Sequence, residues 1–182
     1  STHCISSAAS DVYKRQGNEY TTSVQVEVAA RNKKNADDFD WDESVIYFMV
    51  TDRFFDGNES NNTASGAKTY GKDNAGLYHG GDFAGITQKL DYLEDLGINT
   101  IWITPIVENI PGVTVTDTGK EDVPYNAAYH GYWASDFTKL NPTLGTKEEF
   151  QTLIDQAHNR GIRIMVDIVV NHAGYDLSLI HI

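Results

Sequence analysis

An α/β fold of parallel β-α-β units is the arrangement this sequence predicts, on three observations. Apolar runs of strand length recur along the chain, helical patterns fall between them, and long polar loops follow the strands while short ones precede them. Long loops gathered at the C-terminal ends of parallel strands are the layout of a TIM, or (β/α)8, barrel. The order β-α-β-α-β corresponds to a partial barrel, its first three strands and two helices. A doubly wound sheet is the rival, and it usually carries a Gly-rich phosphate turn after its first strand. Neither GxGxxG nor GxxxxGK[ST] occurs in the sequence.

The elements follow in order. Tyr20–Ala30 alternates polar and apolar residues and predicts a strand. The polar stretch after it predicts a connection, so residues 17–43 read as the end of an upstream domain and its linker. Ser44–Thr51, SVIYFMVT, is a continuous apolar run, the pattern of a strand buried on both faces. A long loop rich in Asn, Gly and Asp follows. Asp82 is placed to cap a helix whose stripe is Phe83, Ile86, Leu90, Leu93 and Leu96, with Gly97 placed to stop it. Ile98–Thr104 is the second strand, ended by Pro105, and a second long loop runs to about Asn141. TKEE, Thr146–Glu149, is a capping box. It opens a helix with Phe150, Leu153, Ile154 and Ala157 on its buried stripe and Gly161 at its end. Ile162–Val170 is the third strand. The helix-to-strand connections are one or two residues long on this reading.

Both ends look foreign. Asp11–Gln16, DVYKRQ, can be encoded by DNA whose reverse complement encodes LSLIHI, Leu177–Ile182. That DNA resembles the end sequence of a transposase-based sequencing library, so residues 1–16 and 177–182 read as translated adapter. A source gene that encodes both tails natively would refute this. The only cysteine, Cys4, falls in the excluded part, so cysteine usage says nothing about redox compartment. The net charge is −12, which argues against a nucleic-acid surface, whose phosphates need a basic face. No stretch is long and apolar enough to span a membrane. Roughly 160 residues remain, enough for one modest domain, and the pattern predicts part of a larger one.

Three segments carry candidate chemistry. Asp56–Asn62, DGNESNN, concentrates side-chain oxygens in Asp56, Asn58, Asn61 and Asn62, and Gly80–Asp82, GGD, adds a flexible backbone carbonyl and a carboxylate. Hard cations take such oxygens; ordinary turns use the same residue types, and Asp82 also suits a helix cap. Tyr129–Phe137, YHGYWASDF, places flat polar-tipped rings in a connecting loop, as stacking surfaces for a sugar or as lids over a core. In DIVVNH, Asp167 interrupts an apolar strand, and a buried carboxylate needs partners. Alternation puts Asp167, Val169 and Asn171 on one face. Asn171 offers a neutral oxygen to a metal or simply forms a turn, and His172 can donate to a substrate hydroxyl or serve structure.

Together these segments resemble the alpha-amylase superfamily, glycoside hydrolase family thirteen. VIYFMVTDRFFDG is similar to its first barrel strand, LGINTIWITPIVENI to its second, YHGYWASDF to its sugar-binding loop and DIVVNH to its first signature region. The match covers about Ser44 to Asp176 in the family's order. The resemblance implies that Tyr132 stacks under the sugar at the cleavage point, that His130 and Trp133 flank it, and that His172 hydrogen-bonds the same sugar. It implies that Asn171 is a ligand of the calcium between barrel and inserted domain, and that Asp167 braces the loops without a catalytic step. Asp56, Asn58, Asn61, Asn62, Gly80 and Asp82 match a second calcium site found in cyclodextrin glycosyltransferases and related secreted amylases. That subgroup often has a cysteine where His79 stands, so any loop disulfide is absent while the metal oxygens remain.

The resemblance further implies retaining cleavage of α-glucosidic bonds in starch or maltodextrin, by a carboxylate nucleophile and a carboxylic acid. It places these carboxylates after later strands, beyond Asp176, so no catalytic residue is expected in this chain. The expected parent is a calcium-containing glycosidase acting on an α-glucan outside the cell or at its surface. The expected alternatives are a transglycosylase of the same family, such as a cyclodextrin-forming enzyme, and a non-catalytic amylase-like protein. The latter tends to lose residues that Tyr132, Asn171 and His172 represent here.

Overall fold

The computed structural model describes residues 5–15 and 18–28 as backbone, and 39–113 and 126–174 in full. Cys4, residues 29–38 of the expected linker, and Asp176 with the LSLIHI tail lie outside the described residues. The chain divides into two compact units, 1–35 and 36–182. In the first, β1 (Ile5–Arg15) pairs antiparallel with β2 (Asn18–Val28), from Ile5 opposite Val28 to Arg15 opposite Asn18. The strand expected from Tyr20 is β2.

The second unit is built on a parallel sheet in the order β3-β4-β9, formed by β3 (Ile46–Met49), β4 (Thr100–Ile103) and β9 (Arg163–Val166). Ile46 pairs with Thr100, and Thr100 with Arg163. Each strand is shorter than its apolar run. Thr51 enters a single helical turn, α1 (Thr51–Phe54), and its N–H donates to Thr104 Oγ1 at 3.2 Å. Asp167 leaves the β9 strand but still donates its N–H to Ile103 O at 3.0 Å.

The helices cover one sheet face. Tyr47, Met49, Ile101 and Ile103 pack there against Phe83, Leu90 and Leu153. Each fully buried aliphatic side chain contributes roughly 1.5–3 kcal/mol. The opposite face is open: Ile46 is 46% exposed, Phe48 48% and Trp102 37%. The expectation that β3 is buried on both faces is therefore corrected. Alternate residues of a strand point to opposite sides, and no layer of described residues covers the second side. In a closed barrel that side is the interior.

The first long helix is broken into α2 (Phe83–Gln88) and α3 (Leu90–Asp95) at Lys89, whose N–H turns back to Ile86 O at 3.0 Å. The stripe survives the break, since Phe83, Ile86, Leu90 and Leu93 are fully buried. Leu96 does not belong to it; it caps the end of α3 and is 52% exposed. Gly97 stops the helix with φ +82, a conformation open to glycine without strain. The capping box forms as expected at α4 (Lys147–Asn159): Thr146 Oγ1 accepts from Glu149 N, and Glu149 Oε2 from Thr146 N. Leu153 and Ala157 are fully buried, and Phe150 and Ile154 half-buried. Residues 96–99 and 160–162 connect helix to strand, longer than expected because a capping turn intervenes.

The second long loop is not a plain loop. β5 (Val107–Asn109) pairs antiparallel with β8 (Ala134–Leu140), and β6 (Gly112–Val113) with β7 (Asn126–Ala127). The later part of YHGYWASDF is thus strand. Ala134–Leu140 holds Phe137 and Thr138, residue types that favour a pleated surface.

Candidate functional site

The tip of β9 meets the aromatic loop. Tyr132 donates its hydroxyl to Asp167 Oδ2 at 2.8 Å. Burial and that carboxylate together push the Tyr132 phenol up to about 12. His172 Nε2 lies 2.8 Å from the Tyr132 carbonyl oxygen. A carbonyl only accepts, so Nε2 carries the proton, and Nδ1 faces the Asn171 amide nitrogen at 3.2 Å. Gly174 N donates to Ala134 O at 2.7 Å, closing the same seam two residues further on.

His130 anchors the rings. Its Nδ1 accepts from Tyr132 N at 3.0 Å. Its ring lies 5.8 Å from the Tyr132 ring, nearly parallel, and 4.6 Å from Trp133, edge-on. Burial lowers the His130 pKa, which keeps Nδ1 an acceptor near neutral pH. Trp133 N donates to Asn109 Oδ1 at 2.7 Å. Tyr132, His130, Trp133, His172 and Asp167 therefore form one cluster.

Two particulars differ from expectation. His172 was expected to offer a donor to a sugar hydroxyl, but its N–H is engaged by the Tyr132 carbonyl. Asp167 was expected to be buried within a strand; it lies just past β9 and is half-buried, with Ile168 and Val170 beyond it 73% and 88% exposed. The strand ends early because β4, its pairing partner, ends at Ile103.

The second cluster lies between β3 and α2. Asp82 is fully buried and caps α2: its Oδ1 accepts from Gly85 N and Gly57 N, its Oδ2 from Asn61 Nδ2. Burial raises its pKa, and the Asn61, Gly85 and Gly57 donors pull it back. Asp56 Oδ2 accepts from Asn62 Nδ2 at 2.9 Å. Asp56 Oδ1, Asn61 Oδ1 and Asn62 Oδ1 are buried and have no hydrogen-bond partner. A buried oxygen without a donor costs about 1–3 kcal/mol, and these three lie close in sequence. Gly80, at φ +92, lies against them; a Cβ there would fall 2.5 Å from Asn62 Oδ1 and 2.7 Å from Asp56 Oδ2.

These residues fit calcium, a hard ion that takes amide and carboxylate oxygens. No group of three or more His, Cys, Asp or Glu suited to a metal occurs among the described residues, because this cage is largely amide. Asn58 departs from the set. Its Oδ1 accepts from Ser60 N and Ser60 Oγ, and its Nδ2 donates to Glu149 Oε1 at 3.2 Å. Asn58 therefore ties the loop to α4. Asn171, the other expected ligand, is exposed beside His172.

The sequence did not single out Asp52 and Arg53. Asp52 is buried and accepts from His79 N and Gly80 N; burial raises its pKa. The Arg53 guanidinium donates to Asp52 Oδ2, Leu77 O and Ala75 O, and lies 3.8 Å above the Tyr129 ring. The pair thus fixes the glycine turn and props the aromatic loop. An acid–guanidinium pair right after a strand, at the end where βα folds carry their sites, was the available signal.

Parallel βα units with ring-bearing and oxygen-rich loops after their strands define a barrel-type α/β protein. The chain belongs to the alpha-amylase family: the family model "Alpha amylase, catalytic domain" matches residues 48–181. It is 46% identical over 137 residues to the periplasmic alpha-amylase of Escherichia coli K12, covering 75% of this chain and 20% of that protein. It is 43% identical over 155 residues to the cyclomaltodextrin glucanotransferase of Geobacillus stearothermophilus, covering 84% and 20%. The solved structure of an Anoxybacillus alpha-amylase matches with a TM-score of 0.62 and 37% identity, over 76% of this chain and 26% of that one. The chain spans 20% of the length of these two curated relatives.

Proposed function

We propose that this chain forms one wall of the active cleft of a retaining hydrolase acting on starch- or maltodextrin-type α-glucans. The observation that carries it is Tyr132, a ring held by Asp167 at its hydroxyl and by His172 at its carbonyl, with His130 and Trp133 beside it. A ring so fixed offers a preorganised stacking face for a glucose unit. Asp167 is committed to Tyr132 and takes no chemical step; the attacking carboxylate and the acid are supplied by later strands of the full-length enzyme. Replacing Tyr132 by Ala in that enzyme tests this. A kcat/KM on soluble starch equal to wild type would remove the basis for the assignment.

A transglycosylase is the second reading, favoured by the similarity to a cyclomaltodextrin glucanotransferase. Chromatography of full-length enzyme products separates the two: linear maltooligosaccharides indicate water as acceptor, cyclic ones a sugar.

We further propose that Asp56, Asn61, Asn62, Asp82 and the Gly80 carbonyl hold calcium, with Asn58 as a peripheral contact. The bound ion would supply positive charge that cross-links the loop to the start of α2. Calorimetry with Asp82→Ala and Asn58→Ala variants checks it; unchanged binding in both would eliminate the site. A location outside the cytoplasm follows from the size of starch and is supported by a periplasmic relative. Tails 1–16 and 177–182 are proposed to be adapter-encoded, which the source gene checks. Expressed alone, the chain is expected to be inactive on starch and to aggregate through its open sheet face. Reducing-sugar release by it would overturn that.

A further inference from the structure

Lys72 stands where the oxygen cage meets solvent. Its ammonium lies 3.1 Å from Asp56 Oδ2, the oxygen that also accepts the Asn62 amide. The Lys72 side chain is 57% exposed and that of Asp56 12%, so an exposed surface group reaches onto a nearly covered carboxylate. Both border an open cleft of about 370 Å³ that Asp52, Glu59 and His79 also line. Hydrogen bonding to Asp56 pushes the Lys72 pKa up.

Charge balance gives this contact its meaning. The cage holds two carboxylates, Asp56 and Asp82, and otherwise neutral oxygens. A divalent cation neutralises the two carboxylates by itself. With Lys72 in place the set carries one excess positive charge when filled and one excess negative charge when empty. Like charges this close, beside partly buried groups, interact far more strongly than in bulk water. The ammonium therefore favours the empty cage and disfavours the filled one. It stands in for the ion only in part, because its contact is with Asp56 Oδ2 while Asp56 Oδ1 and the two asparagine oxygens have no donors.

We propose that Lys72 is a surrogate cation, steadying Asp56 while the cage is empty and weakening the binding of calcium, so that this lysine sets the calcium affinity. The proposal rests on the calcium assignment above. It is tested on the full-length protein, stripped with chelator and titrated calorimetrically with calcium chloride. Lys72→Met is expected to bind calcium about tenfold more tightly than wild type and to unfold at lower temperature in chelator. The difference in affinity should shrink as salt rises, since Lys72 is exposed. Lys72→Arg, which keeps the charge, should match wild type. Equal or weaker calcium binding by Lys72→Met overturns the proposal, and so does equally tightened binding by Lys72→Arg, which would make the effect steric. If wild type itself gives no calcium isotherm, the cage assignment fails and the lysine's role with it, an outcome read before any lysine variant is compared.

Discussion

The oxygen cage and the ring cluster both follow the C-terminal ends of parallel strands, yet they leave opposite kinds of polar group. In the cage, three side-chain oxygens are buried without partners. In the cluster, Tyr132, Asp167 and His172 satisfy one another, and Asn171 and His172 are exposed. Buried oxygens without donors cost free energy that a bound hard cation would recover. Exposed and mutually paired groups can trade partners, which suits a ligand that comes and goes. On the proposed reading, the cage serves stability and the cluster serves turnover.

The sharpest way to break this division is Asp82→Ala. It removes a helix cap, two further donors' acceptor and a cage carboxylate together, and should lower unfolding free energy by about 3 kcal/mol. Denaturant unfolding with and without calcium measures it; the loss should be larger with calcium present. Gly80→Ala comes next, expected at about 2 kcal/mol from its positive φ alone, with calcium binding abolished because the added methyl enters the space beside Asn62 and Asp56. If either variant left stability intact while reducing turnover, the division would be wrong. Tyr132→Ala should do the reverse in the full-length enzyme, lowering kcat/KM about tenfold with little change in unfolding. Tyr132→Phe, which keeps the ring and loses the Asp167 bond, should fall between them.

The smallest expected effect concerns acidity. His130 has its pKa lowered by burial. Its unfolded form therefore takes up a proton at higher pH than its folded form. The contribution is present above pH 6.5, the ordinary histidine value, and is lost as pH falls through the lower folded value. His130→Asn, whose oxygen can still accept from Tyr132 N, should flatten stability across that range. Chemical denaturation at stepped pH reads this, and an unaltered slope would place the titration elsewhere.

Local signals were legible in the sequence and distant ones were not. The capping box of α4 and the buried stripe through α2 and α3 are each written within a few residues; the box formed as expected, and so did the stripe except at Leu96. Asp56, Asn61, Asn62 and Asp82 stood out because one ion needs several oxygens close together. The break at Lys89 escaped notice because the apolar stripe passes over it unchanged. β8 escaped because its partner β5 lies across a long excursion and the rings just before it, Tyr132 and Trp133, drew attention to chemistry. Asp52 and Arg53 act on groups more than twenty residues away, and the partner that occupies His172 is a backbone carbonyl, which no side-chain pattern announces. Burial of β3 on both faces was misjudged because an apolar run does not say which neighbours will be present.

One contact has a consequence for biosynthesis. Asn58 reaches Glu149 across 91 residues of sequence, and Glu149 is the residue that reciprocates the cap of α4. A chain emerging in order from the ribosome exposes its cage loop long before the helix that buttresses it has been translated. The Asn58 contact therefore closes only once α4 has been made.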